Sequence, residues 1–193
     1  MGRPSLKDER KEEILAAYEV CVARFGVEGA TLERVADEAG LARPLIRHNV
    51  GNRDELMQAL IDRFFDQSAE RVRSMVQTLP TRKPAEALVE ALFSAPIRDH
   101  TSVLVAEALI AASATRPQLA EQMQQWLVDF IDAIAAVLNR QYPMAAAKDK
   151  RAAAAGVTGI YFNVESMIML GEMQGVRSDS RQAALMLIAA LDR

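Results

Sequence analysis

The chain has 193 residues, half of them hydrophobic and a quarter charged, with a formal net charge of −3. This supplies a sizeable core for one large domain, or for a small one joined to a medium one, and excludes disordered and fibrous classes. The single cysteine, Cys21, excludes an internal disulfide and a cysteine-based zinc site, and the acidic balance excludes a cationic coat while leaving room for a local basic face.

The first residues, MGRPSLKDERKEE, lack the apolar core of a signal peptide, and Leu6 stands where a myristoylation signal needs Ser or Thr. The longest apolar run, AALMLIAAL from Ala183 to Leu191, is too short to span a bilayer. These features predict a soluble, cytoplasmic protein. Apolar residues then recur at helical spacing nearly everywhere, and no run alternates as a strand would. Ile14, Tyr18, Cys21 and Phe25 mark a first helix from about Lys7 to Phe25, ended by Gly26 and Gly29. Cys21, among Val20, Val22 and Phe25, reads as a small buried hydrophobe before a reactive thiol. Thr31 is an N-cap for a short second helix, LERVADEA, with Val35, Ala36 and Ala39 facing inward and Gly40 closing it. Ala42 is the N-cap expected for a third helix whose first turn holds Arg43 and Pro44, where a missing N–H costs nothing. Leu45 and Ile46 are its expected anchors.

Asn52, with Glu55 three residues on, forms a capping box for a long helix from Arg53 to about Gln77, patterned by Leu56, Leu60, Phe64, Ala69, Val72 and Val76. The segment LPTRKPAE is a connector. Five further helical segments follow: one from about Pro84, one from His100 to Ser113, and one from Pro117 to the Tyr142-Pro143 stop. The last two run from about Lys148 to Met173 and from Ser180 to Leu191. The third of these carries Leu119, Met123, Trp126, Leu127, Phe130, Ile131, Ile134 and Leu138 on a wide apolar face. The expected architecture is all-α with about nine helices.

The stretch ARPLIRHNVGNR holds three arginines and a histidine with no acid, in a chain that is acidic overall. Before it, Ala36-x-x-x-Gly40-Leu41 is a helix-turn-helix spacing. The small Ala36 allows close approach, Gly40 takes a turn conformation that side chains resist, and Leu41 plugs back into the core. An ordinary helical hairpin shares that spacing. In a helix-turn-helix the second helix offers its first residues to base edges in the major groove. Arg43, Pro44, Arg47 and His48 are the candidates for that face. Arginine bonds guanine bidentately, or it holds a phosphate that positions without specifying, and both roles stay open for Arg47 and Arg53. Asn49 is a candidate for adenine or phosphate. For each cation taken singly, the bland reading is a solvated surface charge.

From Ile14 to Leu56 the chain resembles the DNA-binding segment of TetR-type (tetracycline-repressor-like) transcriptional regulators. The features that carry this are Ile14-Leu15, Ala17, Gly26, Thr31, Val35-Ala36, Ala39-Gly40-Leu41, His48 and Asn52-Arg53-Asp54-Glu55-Leu56. Ala42, Arg47, Asn49 and Val50 depart from the usual pattern, which has Ser or Thr, two aromatics and Phe at these places. Val22 stands where a Phe is usual, with Phe25 as the neighbouring aromatic. The resemblance implies a helix-turn-helix domain over 1–52 and a ligand-binding and dimerisation domain over 53–193, joined by the long helix of about 53–77. It also implies a hydroxyl–phosphate contact from Thr31. Gly2-Arg3-Pro4 is a candidate minor-groove arm, with an unstructured terminus as the stronger alternative, and Arg3 and Lys7 would add attraction for DNA.

For the second half, the resemblance implies a homodimer that brackets a palindromic operator and responds to a small molecule. Ala155, Gly156, Gly159, Ile160, Met167, Ile168, Leu187 and Leu191 are the candidate dimer residues. Phe93, Leu104, Met123, Trp126, Phe130, Tyr161 and Phe162 are candidate pocket walls, with Glu107 and Asn163 as polar orienters; a helical apolar stripe is also what a core requires. The expected function is a repressor released from its operator by a mainly hydrophobic effector, with no cofactor and no metal. No catalytic constellation assembles, because His48 and His100 form no zinc motif and no phosphate-binding glycine loop occurs. A helical protein-interaction adaptor without DNA binding is the alternative, and it leaves the basic stretch unexplained.

Overall fold

The computed structural model describes residues 6–93, 100–171 and 174–192. The candidate arm Gly2-Arg3-Pro4 and the expected helix end at Met173 lie outside these residues. The side chains of Lys7 and Ile168 also lie outside what is described. Nine α-helices and no strand occur among the described residues.

The first four are α1 (Leu6–Gly29), α2 (Leu32–Ala39), α3 (Arg43–Val50) and α4 (Arg53–Thr78). The next three are α5 (Pro84–Phe93), α6 (Thr101–Ser113) and α7 (Pro117–Gln141), followed by α8 (Ala147–Ser166) and α9 (Gln174–Ala189). The break expected at Gly26 is a kink inside α1, where Gly26 leaves helical geometry with φ 70°. Two boundaries differ from the sequence reading. Helix α8 stops at Ser166, and a short 3₁₀ turn at Ile168–Leu170 follows before Gly171 at φ 92°. Helix α9 starts at Gln174 instead of Ser180, so residues 175–179 form its first turns.

Close packing divides the chain into two compact units, Met1–Gln67 with Asp99–Met123, and Ser68–Arg98 with Gln124–Arg193. They are units of packing, whereas the expected division at 52/53 concerns what each part does. In the first unit α1 packs against α2, α3 and α6. Ile14, Tyr18 and Val22 of α1, Val35 of α2, Ile46 of α3 and Leu56 of α4 are fully buried. Arg63 of α4 bridges Glu12 and Glu19 of α1. Of the two anchors expected in α3, only Ile46 acts as one. Ile46 and Val50, four residues apart, share the buried face, while Leu45 is turned about 100° away and is 46% exposed.

The second unit has its own apolar core. Leu88, Val89 and Phe93 of α5 meet Ile134, Val137 and Leu138 of α7, together with Ala154 and Val157 of α8 and Ala184 and Ile188 of α9. Ala69 and Leu127, placed on inward faces by the periodicity, are exposed. Gln141 staples the start of α5 to the end of α7. Its Oε1 accepts from the Ala85 N–H at 2.9 Å and its Nε2 donates to Glu86 Oε2 at 2.8 Å.

The seating of α3 gives a direct test. Ile46→Ala should lower the stability of the first unit by about 2–5 kcal/mol, whereas Leu45→Ala should stay within about 0.5 kcal/mol. Equal shifts in urea-unfolding midpoints for the two variants would show that the helix is not anchored through one residue of the pair.

Candidate functional site

The helix-turn-helix element α2–α3 is built from local caps. The Thr31 hydroxyl accepts from the Arg34 N–H at 3.4 Å, which leaves its own proton free to donate elsewhere. At the other end of α2, Gly40 sits in the left-handed region (φ 63°, ψ 31°). Its N–H donates to Asp37 O at 3.2 Å, and the Leu41 N–H reaches back to Ala36 O at 2.9 Å. This pair of bonds reverses the chain in the least length a helix end allows. Ala42 then caps α3 without a side-chain bond, and Pro44 lies in the first turn. The capping box forms as the spacing predicts: Asn52 Oδ1 accepts from the Asp54 and Glu55 N–H groups, and Glu55 Oε2 accepts from the Asn52 N–H at 2.7 Å.

Within α3 the candidate residues separate. Arg43, Pro44, Leu45, Arg47 and His48 are exposed. Neither Arg43, Arg47 nor His48 makes an ion pair among the described residues. Asn49 is half-buried, and its Nδ2 donates to Leu45 O at 2.7 Å. Bidentate reading of adenine needs both ends of the amide, so Asn49 in this state offers only its oxygen. Arg53 does not stand on the same footing as Arg43 and Arg47. Its Nη2 donates to Val27 O and to Glu28 Oε2, each at 2.9 Å. The other Glu28 oxygen takes Arg116 Nη2 at 2.5 Å.

One carboxylate at the end of α1 thus holds the start of α4 and the turn between α6 and α7. The sequence reading missed this triad, because its members lie far apart in the chain. It also missed Arg34, which donates to Gly29 O at 2.7 Å and lies 4.3 Å from the centroid of the Phe25 ring. Phe25 is half exposed while Val22 is fully buried, so Phe25 does not fill the core position left by Val22.

In the second unit, five of the candidate pocket residues come together. Trp126 stacks on Phe162 (5.2 Å, 17°), Phe130 stacks on Tyr161 (5.9 Å, 10°), and Phe93 meets Tyr161 edge-on (5.9 Å, 82°). Trp126 Nε1 donates to Ser68 Oγ of α4 at 2.7 Å. Burial pushes the Tyr161 phenol up to about 12, with the Glu165 carboxylate adding to the rise and Arg177 and Arg71 opposing it. Leu104, Glu107 and Met123 belong to the first unit; Met123 is buried and the other two are half-buried. Asn163 is exposed, so it does not face the aromatic cluster as an orienter would. It lines a surface groove of about 450 Å³ with Gly159, Ile160, Asp179, Ser180 and Ala183. Among the described residues, no group of three or more His, Cys, Asp or Glu side chains is placed to hold a metal ion, and no helix is long and apolar enough to cross a membrane.

No family model matches the chain. It is 30% identical over 136 residues to the HTH-type transcriptional activator FasR of Mycolicibacterium smegmatis, which covers 69% of this chain and 61% of that protein. Over 69 residues it is 36% identical to the HTH-type transcriptional repressor AcnR of Corynebacterium jeikeium, covering 36% of this chain and 33% of that protein. The chain therefore matches less than two thirds of the length of either relative. A TetR transcription regulator from Haloarcula marismortui has the same fold, with a TM-score of 0.75 over 94% of this chain and 97% of that one at 16% identity. The chain has the fold of TetR-type regulators and is similar in sequence to HTH-type transcriptional regulators.

The candidate dimer residues fall into two groups. Ala155, Gly159, Met167 and Leu187 are exposed on α8, just beyond it and on α9. Ile160 and Leu191 are partly buried and pack against the core of the unit. Gly156 has an assignment within the chain, since a Cβ there would lie 2.8 Å from Leu187 Cδ1. It lets α9 approach α8.

The Glu28 triad makes a pH prediction. The hydrogen bond from Arg116, then that from Arg53, holds the Glu28 carboxyl below its ordinary 4.5. A carboxylate with a lowered folded pKa contributes stability that is present above its unfolded pKa and lost as the pH falls through the folded one. Wild type and Glu28→Gln should therefore differ in thermal midpoint at neutral pH and converge below pH 4.5. A gap that persists in acid would show that the charge of Glu28 is not what joins the three elements.

Proposed function

We propose that this chain is a DNA-binding transcriptional regulator that works as a homodimer and places two α3 helices in successive major grooves of a palindromic operator. One observation carries the reading: Arg43, Arg47 and His48 stand exposed on α3 without ion pairs among the described residues, in a stretch with no acid from Arg43 to Arg53. Stability does not require such an arrangement, whereas a phosphate backbone does. Thr31, with its free hydroxyl proton, and the N–H groups at the start of α4 supply further phosphate donors. Arg53 contributes mainly by fixing the entry of α4.

The dimer brings the two reading heads on the order of 34 Å apart, one turn of DNA. The exposed small and apolar residues Ala155, Gly159, Met167 and Leu187 are the surface through which the copies meet, and the groove beside Asn163 lies on the same face. The effector site is the aromatic cluster of Phe93, Trp126, Phe130, Tyr161 and Phe162. Ligand binding there shifts α4, which runs unbroken from Arg53 to Thr78, and so alters the spacing of the heads by its differential affinity for the two arrangements. The chain acts as a repressor in this reading; its removal should raise transcription from the operator, and a fall would make it an activator.

Fluorescence anisotropy with a duplex from upstream of its own gene tests the assignment. Binding should weaken steeply with salt. Arg43→Ala or Arg47→Ala should cost about 1–3 kcal/mol on the operator where the residue reads a base. Equal loss on operator and random duplex would reassign that arginine to a phosphate. Salt-insensitive or absent binding to every duplex would overturn the reading.

A further inference from the structure

Helix α3 turns an apolar side chain away from the core. Ile46 is fully buried, yet Leu45 beside it is 46% exposed, and Pro44 before it is exposed as well. Single exposed leucines are ordinary on a protein surface. Leu45 differs in where it stands. It is the third residue of an eight-residue helix, and the first turn of a recognition helix is the part that meets base edges in the major groove.

The turn of the helix sorts the displayed groups. Ile46 and Val50 mark the inner line. Pro44 and His48 therefore fall on the outer line, while Leu45 and Arg47 stand about 100° to either side of Ile46. Arg43 and Arg47, four residues apart, share one flank. The other flank carries Leu45 and Asn49, and Asn49 turns its Nδ2 back onto the Leu45 carbonyl at 2.7 Å. The outer face thus has a cationic edge and an apolar edge, separated by Pro44 and His48. No acid occurs from Arg43 to Arg53 to offset the cationic edge.

The two edges suit different base chemistry. Guanine offers an arginine two acceptors, whereas the apolar group that a base pair shows in the major groove is the thymine 5-methyl. Leucine has neither donor nor acceptor. Against guanine, adenine or cytosine it would cover a polar edge and leave it unpaired, which costs free energy. Against thymine it buries methyl on methyl. One side chain thus favours thymine and disfavours the other bases. We propose that Leu45 is a specificity-determining residue that reads the 5-methyl group of a thymine in each half of the operator. This rests on the reading of α3 as the DNA-binding helix, and it adds to the arginines a contact that charge cannot supply.

The full-length protein would first select duplexes from a randomised pool. In the selected duplex, each thymine of both half-sites would be replaced, position by position, by deoxyuridine, which keeps the base pair and removes only the methyl. Fluorescence anisotropy of the wild type should show one symmetric position where the replacement weakens binding about fourfold for each half-site. In Leu45→Ala that penalty should vanish. In Leu45→Met, which keeps an apolar side chain of similar reach, it should persist. A merely structural role for Leu45 would weaken binding to both duplexes alike and leave the methyl penalty intact. Leu45 lies outside the core, so both variants should fold, and circular dichroism would verify it. A selected operator without a thymine whose methyl matters, or a methyl penalty that survives in Leu45→Ala, would overturn the proposal and leave the DNA-binding reading standing. Failure to select any duplex, with no salt-dependent binding, would remove both.

Discussion

Helix α3 is eight residues long, and an isolated helix of that length does not hold itself together in water. Everything α3 presents therefore depends on how it is fixed from outside. The Gly40 corner fixes it at one end, because only a left-handed residue lets the Gly40 and Leu41 N–H groups turn back onto α2 within a single turn. Ile46 and Val50 fix it along its length. With two side chains buried and five of eight residues exposed, α3 is a display surface and contributes little core. This is why the chemistry of its exposed face is free to serve recognition.

The same economy appears at Glu28. An exposed carboxylate contributes little through any one ion pair, but both of its oxygens are engaged by guanidiniums from separate elements. Arg53 is further tied by the Val27 carbonyl and Arg116 by the Ala112 carbonyl. Each arginine is thus held at two points, and the carboxylate fixes their relative placement. The buried Tyr18 hydroxyl, which has no hydrogen-bond partner, lies in the field of all three charges. The start of α4 is consequently positioned by charge as well as by its capping box.

Much of the head was legible in the sequence because its determinants are local. Thr31, Gly40, Asn52 and Glu55 act on backbone groups within a few residues, so spacing alone predicts their bonds. The anchor of α3 was ambiguous, since an apolar doublet such as Leu45-Ile46 does not say which member faces inward until the neighbouring helices are placed. Arg53 read as a DNA-side cation because its competing partners, Val27 and Glu28, are remote in sequence. Five aromatics named as candidate pocket walls lie against one another in the structure, whereas Asn163 is exposed, because an apolar segment such as GIYFNVESM hides an exposed face one residue wide. Glu165 and Arg177 drew no notice, as a carboxylate at a helix end and an arginine in a polar stretch both read as surface.

The allocation of cations around α3 shows what the acidic net charge conceals. Arg24 is paired with Glu38, Arg63 with Glu12 and Glu19, and Arg53 with Glu28, while Arg34 is held by a carbonyl and a ring. Arg43 and Arg47 are left over. Exposed pairs contribute too little for stability to explain the difference. An acid within a Debye length, about 10 Å at moderate salt, would however oppose every phosphate approaching the helix. Keeping acids out of residues 43–53 thus matters for attraction at a distance. On the proposed reading Arg47 supplies a charge that acts on phosphates over several ångströms, which matters in a chain whose net charge is −3.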